Sequence, residues 1–226
     1  MTTGTLTGVA LGPGDPDLIT VKGLKILQNA DLIFYPETTA THSFSLGILK
    51  QLNVKTPAIP LYIPMSGKQR EQIYQKAFAK IKVEIYKGKN IAIISEGDLL
   101  FYSTFGYLLK LARADKIKCN IVPGIPAFIA AGALAKRSIV EGNTGLKVIA
   151  KPHNFDEIKN AIKQNTTVVI MKMNFLTRWD EFLKNTQSNF LYAERVGTKE
   201  QFFTSDANEL EQRKIPYFSL LIIYNK

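Results

Sequence analysis

Apolar residues along the chain fall into short blocks, separated by clusters of glycine, proline and acid. Leu6 to Leu11 reads as a buried strand, and the loop from Gly12 to Asp17 follows it. Leu18, Val21, Leu24, Ile26 and Leu27 then recur at helical spacing, and Ala30 to Tyr35 forms a second apolar run. This β–loop–α–β opening requires a right-handed crossover and a parallel sheet. A short helix is expected over Thr41 to Leu52, an extended piece over Ala58 to Ile63 and a long amphipathic helix over Lys68 to Tyr86. A buried strand follows at Asn90 to Ser95, then a second loop–helix unit (EGDLLFYSTFGYLLKLARA), then a strand at Cys119 to Val122.

The proline pair in PGIPA, Pro123 to Ala127, marks the domain boundary. Residues 1–123 are expected to form an N-terminal α/β domain carrying the GPGD loop. Residues 124–226 form a C-terminal α/β domain. There the pattern predicts helices at Ile125 to Ala135, Asp156 to Gln164 and Leu176 to Lys184. It predicts strands at Leu146 to Ala150 and Thr167 to Met173, with further strand-like segments at Phe190 to Ala193, Gln201 to Thr204 and Phe218 to Tyr224. The first sheet is therefore mainly parallel, and the second is mixed, with at least one antiparallel hairpin. There is no repeat and no low-complexity tract.

Composition narrows the classes. The 226 residues are 46% hydrophobic and 21% charged, ordinary values for a globular protein. No apolar run reaches the roughly 18–20 residues of a membrane span. The opening MTTGTLTG lacks a basic n-region, so no signal peptide is expected, and the single cysteine, Cys119, fits a cytoplasmic setting. One cysteine excludes an internal disulfide, and two histidines, His42 and His153, argue against a protein metal cage. Lysine and arginine total 29 against 19 acids, a formal charge of +10. That balance favours an anionic partner, either nucleic acid or a polycarboxylate small molecule. The lysines are scattered, and the chain has no RNP motif, basic-aromatic strand or zinc knuckle, which weighs against a nucleic-acid-binding module.

The first loop is nearly a dinucleotide fingerprint. Gly12 and Gly14 supply two glycines, but Asp17 stands where the third belongs. Glu37, after the second strand, imitates the acid that binds a ribose. Pro13 and Pro16 lack the N–H groups that bind pyrophosphate, and Asp15 and Asp17 repel it. The loop therefore either borders a neutral or cationic ligand or simply turns the chain, with Asp15 as a cap for the helix after it. A second Gly-Asp pair, Gly97–Asp98, ends another apolar strand, and Val122–Pro123–Gly124 ends a third. Small-molecule sites in open α/β sheets gather at such strand ends. The aromatics Phe101, Tyr102, Phe105 and Tyr107 are candidates to cover a planar ligand or to pack a helix.

At these residues the chain resembles the tetrapyrrole methylases, the class III S-adenosylmethionine-dependent methyltransferases. GPGDPDLITVKGLKILQNADLIFYP, SEGDLLFYSTFGYL and VPGIPAFIAAGALA are similar to three family signatures. VVIMKMN and ERVGTKEQ are similar to two late segments that complete the cofactor pocket. FYPETT, LYIPMSGKQR and SEGDLLFYSTFGYL most resemble the branch that methylates C(20) of precorrin-2 or cobalt-factor II in cobalamin biosynthesis. Two departures occur. Leu99 replaces the proline of the family's Gly-Asp-Pro, and Pro126 replaces a small hydroxyl residue.

The resemblance implies two α/β domains with a cofactor cleft between them. It implies S-adenosyl-L-methionine as methyl donor, leaving as S-adenosyl-L-homocysteine. It places Pro13, Glu96, Gly97, Asp98, Phe101, Pro126, Ala127, Met171, Gly197 and Thr198 along that cofactor. It implies a homodimer, a tetrapyrrole polycarboxylate as substrate, and neither nucleic acid nor membrane as partner. Asp15, Tyr35 and Glu37 are the catalytic candidates, because they stand at strand ends facing the cleft; His42 is a further proton acceptor to weigh. Lys136, Arg137, Lys151 and Arg195 are candidates for the substrate carboxylates. The alternatives are methylation at another ring position and an RNA methyltransferase of the same fold. The latter is expected to open its first loop like T-P-I-G-N-L rather than GPGDPD.

Overall fold

The computed structural model describes residues 4–37, 43–63, 70–164 and 166–224. By its internal packing the chain divides into two compact units, Met1–Pro126 and Ala127–Lys226.

Unit 1 contains β1 (Leu6–Ala10), α1 (Val21–Asn29), β2 (Leu32–Glu37), α2 (Phe44–Leu49), β3 (Ala58–Tyr62), α3 (Arg70–Tyr86), β4 (Ile91–Ser95), α4 (Phe105–Ala114) and β5 (Cys119–Val122). Its five strands are parallel and lie in the order β3-β2-β4-β1-β5. β4 is inserted between β1 and β2, pairing Ile91 with both Leu6 and Leu32. All five β4 residues are buried, as a strand covered on both faces requires.

Side chains alternate across this sheet. Leu6, Ala10, Leu32, Phe34, Ile91 and Ile93 join the core under α3 and α4. Val9, Ile33, Tyr35, Ala92 and Ile94 join the core under α1 and α2. The chain leaving β1 and the chain leaving β4 thus turn to opposite faces, although the two strands are neighbours. That reversal is the topological switch point, where an open α/β sheet leaves a crevice at its carboxyl edge. The two strand prolines fit the ladder. Pro36 follows the last β2 residue paired with β4, Phe34, and Pro60 lies on the edge strand β3.

Unit 2 contains α5 (Ala127–Leu134), β6 (Gly145–Ala150), α6 (Phe155–Ile162), β7 (Thr166–Met171), α7 (Trp179–Thr186), β8 (Phe190–Glu194), β9 (Phe202–Thr204) and β10 (Ser219–Ile223). The order is β6-β7-β10-β8-β9. β6 and β7 are parallel, while β10 is antiparallel to both β7 and β8. The expected hairpin is β8–β9. The core gathers Ile149, Val168, Ile170, Trp179, Phe182, Tyr192 and Leu221.

Several expected element boundaries move. The helix expected from Leu18 is split: Pro16–Leu18 is a 3-10 turn, and Thr20 Oγ1 accepts from Gly23 N at 3.0 Å to start α1 afresh. α5 begins at Ala127 rather than Ile125, because a residue before proline avoids the helical region. β7 stops at Met171, since Lys172 is left-handed at φ 60°. A 3-10 turn at Met173–Phe175 follows, and α7 begins at Trp179 rather than Leu176. The Trp179 indole N–H donates to the carbonyls of Met173 and Leu176, each at 3.1 Å, and fixes that turn. The first residues expected in the helices at Thr41 and Lys68 lie outside the described residues.

Ile93 sits in the middle of the central strand, between Gly8 of β1 and Phe34 of β2, and is 2% exposed. Ile93→Ala is expected to lower unfolding stability by about 2–5 kcal/mol, read by denaturant titration. A loss under about 1 kcal/mol would mean that this core is not close-packed around β4.

Candidate active site

The three strand-end turns singled out in the sequence meet in unit 1. Beyond β1 and β4 the backbones of Gly12 and Gly97 pair directly: Gly97 N donates to Gly12 O at 2.6 Å, and Gly12 N donates to Gly97 O at 3.2 Å. Both glycines have left-handed φ, 79° and 65°. The third turn, after β5, sits on this pair. A Cβ at Gly124 would fall 2.6 Å from Ala10 Cβ and 2.7 Å from Gly97 O, so only glycine fits there.

Asp98 ties the turns together. Its Oδ1 accepts from Leu100 N and its Oδ2 from Gly124 N, both at 2.8 Å. The carboxylate therefore acts on its own loop and on the third turn. Leu99, where the family pattern has proline, is fully buried in the core under α4. The loop is thus anchored by packing rather than by a proline ring. Gly8 completes the arrangement, because the Phe105 ring lies 2.5 Å from where its Cβ would stand. An isolated glycine inside a strand is a sign of such close approach, a signal present in the sequence but not used there.

The other unit 1 candidates divide by role. Pro13 is buried beside Gly12. Asp15 caps the 3-10 turn, its Oδ1 accepting from Asp17 N at 2.9 Å. Tyr35 is packed among Val9, Leu27, Ile33 and Ile94. Burial, and then the nearby Glu37 carboxylate, push its phenol above the usual tyrosine range, so it stays protonated at neutral pH. Glu37 is half-buried at the end of β2, and Glu96, Asp98 and Phe101 are half-buried in the second loop. Phe101 and Tyr102 form an edge-to-face pair at 5.0 Å. Phe105 is 1% exposed in the core. Tyr107 stacks on Tyr74 at 4.6 Å, so these two aromatics are packing residues. His42 lies outside the described residues.

These features fit a ligand without phosphate. Two prolines withhold amide donors, and Asp15, Glu37 and Glu96 set negative charge at the carboxyl edge, which suits a sulfonium cation. A Cβ on Gly97 would meet nothing within 4 Å, so the Cα there faces open space.

In unit 2, Ala127 opens α5, just after Pro126, the last residue of unit 1. Met171 ends β7 and is half-buried. Gly197, at φ 80°, donates its N–H to Gln201 Oε1 at 2.8 Å. The Thr198 hydroxyl donates to Arg195 O at 2.8 Å, so it serves the turn itself. Just before this turn, Glu194 is 4% exposed and holds Arg213 through two hydrogen bonds of 2.7 and 3.0 Å, while also accepting from the Tyr192 hydroxyl. Burial, then Glu194, raise the Tyr192 pKa. Of the basic candidates, Arg195 pairs with Glu200 at 2.7 Å, Lys151 lies over the Phe175 ring at 4.7 Å, and Arg137 lies over the Tyr224 ring at 3.7 Å. Lys136, beside Arg137, is exposed.

Residues 5–211 match the family model described as Tetrapyrrole (Corrin/Porphyrin) Methylases. The chain is 29% identical to the cobalamin biosynthesis protein CobIJ of Mycobacterium tuberculosis, over 97% of this chain and 46% of that protein. It thus spans about half the length of that relative. It is also 29% identical to the cobalt-precorrin-2 C(20)-methyltransferase of Salmonella typhimurium, over 97% of this chain and 96% of that one. Its fold is shared with the uroporphyrin-III C-methyltransferase of Thermus thermophilus complexed with S-adenosyl homocysteine, at TM-score 0.68 and 17% identity, over 98% of this chain and 97% of that one.

Asp98→Asn keeps one acceptor oxygen but turns an N–H2 group toward Gly124 N or Leu100 N. It is expected to cost about 1–3 kcal/mol in chemical denaturation. Unchanged stability would show that the carboxylate does not hold the loops together.

Proposed function

The chain belongs to the tetrapyrrole methylases, and we propose that it transfers a methyl group from S-adenosylmethionine to C(20) of precorrin-2 or its cobalt-containing counterpart. The observation that carries this reading is the end-to-end similarity to a C(20)-methyltransferase, 97% of this chain against 96% of that one. The phosphate-averse, acid-lined turns at the switch point of unit 1 support it from the physical side.

When bound, S-adenosylmethionine supplies an electrophilic methyl on a sulfonium, so the protein's work is placement and exclusion of water. Gly97 leaves open space at its Cα, Pro13 and Phe101 offer apolar surface, and Glu96 offers negative charge. Asp98 positions the turns. Pro126, Ala127, Met171, Gly197 and Thr198 are proposed contacts of the same cofactor. Methylation of a ring carbon leaves a proton to be removed. Glu37 is the proposed acceptor, since Asp15 is engaged as a cap and the Tyr35 phenol is held protonated. A homodimer and a cytoplasmic setting belong to the same reading, drawn from the family resemblance and the single cysteine.

A single-turnover assay with methyl-labelled S-adenosylmethionine and either tetrapyrrole, followed by NMR of the product, tests the reading. Label at C(20) is expected; label at another ring carbon, or no transfer to either compound, would overturn it. In the same assay Glu37→Gln is expected to slow transfer by roughly 10²-fold. Tyr35→Phe is expected to leave the rate within about twofold, because a phenol that stays protonated is not the base. The reverse pattern would reassign the proton acceptor.

A further inference from the structure

In the sheet of unit 2, β6, β7 and β8 all run in one direction and β10 runs against them. The carboxyl ends of these three strands therefore share one edge. The residue immediately after each strand is basic: Lys151 after β6, Lys172 after β7 and Arg195 after β8. All three have left-handed backbones, φ 59°, 60° and 45°. Glycine occupies this region freely, whereas a long side chain there is uncommon and strained. Each strained residue is tied to the neighbouring strand. Lys151 N donates to Met171 O at 3.1 Å, Lys172 N to Ser219 O at 3.0 Å, and Arg195 N to Phe218 O at 2.9 Å.

All three side chains are half-buried. The Lys151 ammonium lies 4.7 Å from the Phe175 ring centre and the Lys172 ammonium 5.3 Å from that of Tyr217. Glu200 pairs with Arg195. Strand spacing sets the intervals at about 5 Å from β6 to β7, and about 10 Å from β7 past β10 to β8. A single carboxylate or phosphate would need cations that converge on one point. Cations spread along an edge, with aromatic rings among them, match a flat ring bearing carboxylates around its perimeter. Resting on the methyltransferase reading above, we propose that Lys151, Lys172 and Arg195 form a rim on unit 2 that seats the perimeter carboxylates of the tetrapyrrole, with Lys172 at its centre. Arg137 falls outside this rim: its partner Tyr224 follows the end of β10, which lies at the opposite edge of the sheet.

The test is a fluorescence titration of the full chain with an octacarboxylate porphyrin at saturating S-adenosylhomocysteine, whose own affinity is measured by calorimetry. Lys151→Gln and Lys172→Gln are each expected to weaken porphyrin binding roughly fivefold to tenfold, with S-adenosylhomocysteine affinity unchanged. Lys163→Gln, an equal loss of charge at the far edge, is expected to leave both affinities unchanged. Lys172→Gly relieves the left-handed strain, so it is expected to melt no lower than the parent while binding the porphyrin as weakly as Lys172→Gln. Lys172→Arg is expected to restore binding. Equal weakening by Lys163→Gln would overturn the rim in favour of diffuse attraction. Loss of S-adenosylhomocysteine affinity with porphyrin binding intact would overturn it in favour of a cofactor role. A parent protein that binds S-adenosylhomocysteine but not the porphyrin would also overturn it. A parent that binds no S-adenosylhomocysteine would instead sink the methyltransferase reading on which the rim depends.

Discussion

The mutual backbone pairing of Gly12 and Gly97 is the contact on which the rest of the candidate site depends. It joins the turns after two neighbouring parallel strands at the point where their helices part to opposite faces. Neither turn alone would be remarkable in shape; paired, they form a fixed floor, and the third turn rests on it through Gly124. The constraint is steric before it is chemical. Left-handed φ makes a side chain strained at Gly12 and Gly97, and contact distance leaves no room for one at Gly124. Asp98 then accepts from the amides of Leu100 and Gly124, so a carboxylate expected along the cofactor also fastens the loop.

Charge is divided between the units in a way the overall balance hides. The chain carries a formal charge of +10. The carboxyl edge of the unit 1 sheet nevertheless carries acids and prolines, while the corresponding edge of the unit 2 sheet carries Lys151, Lys172 and Arg195. The first edge disfavours phosphate and tolerates a cation. The second favours carboxylates. On the proposed reading, the basic charge serves the substrate carboxylates.

Much of unit 1 was legible because its signals are local. Apolar runs ending in glycine turns announce buried parallel strands, and the two Gly-Asp loops do fall on neighbouring strands. The insertion of β4 between β1 and β2 was not legible, because strand order is a long-range property that periodicity does not encode. Tyr35 read as a strand-end residue facing the cleft, and the alternation of the strand packs it in the core under α1 and α2. Phe105 read equally as a ligand cover or a packing residue, and the space left by Gly8 decides for packing. In unit 2 the residues after Met171 read as a continuation of strand and an early helix. The left-handed Lys172 and the Trp179 indole bond, neither with a sequence signature, impose the turn instead.

The central claim is that the three glycine turns of unit 1 hold a cofactor lacking phosphate. Amide NMR of the protein with S-adenosylhomocysteine, and separately with a nicotinamide dinucleotide, tests it most directly. The amides of Gly12, Gly97 and Gly124 should shift on adding S-adenosylhomocysteine and remain in place with the dinucleotide. Shifts with the dinucleotide, or none at these glycines with S-adenosylhomocysteine, would contradict the account.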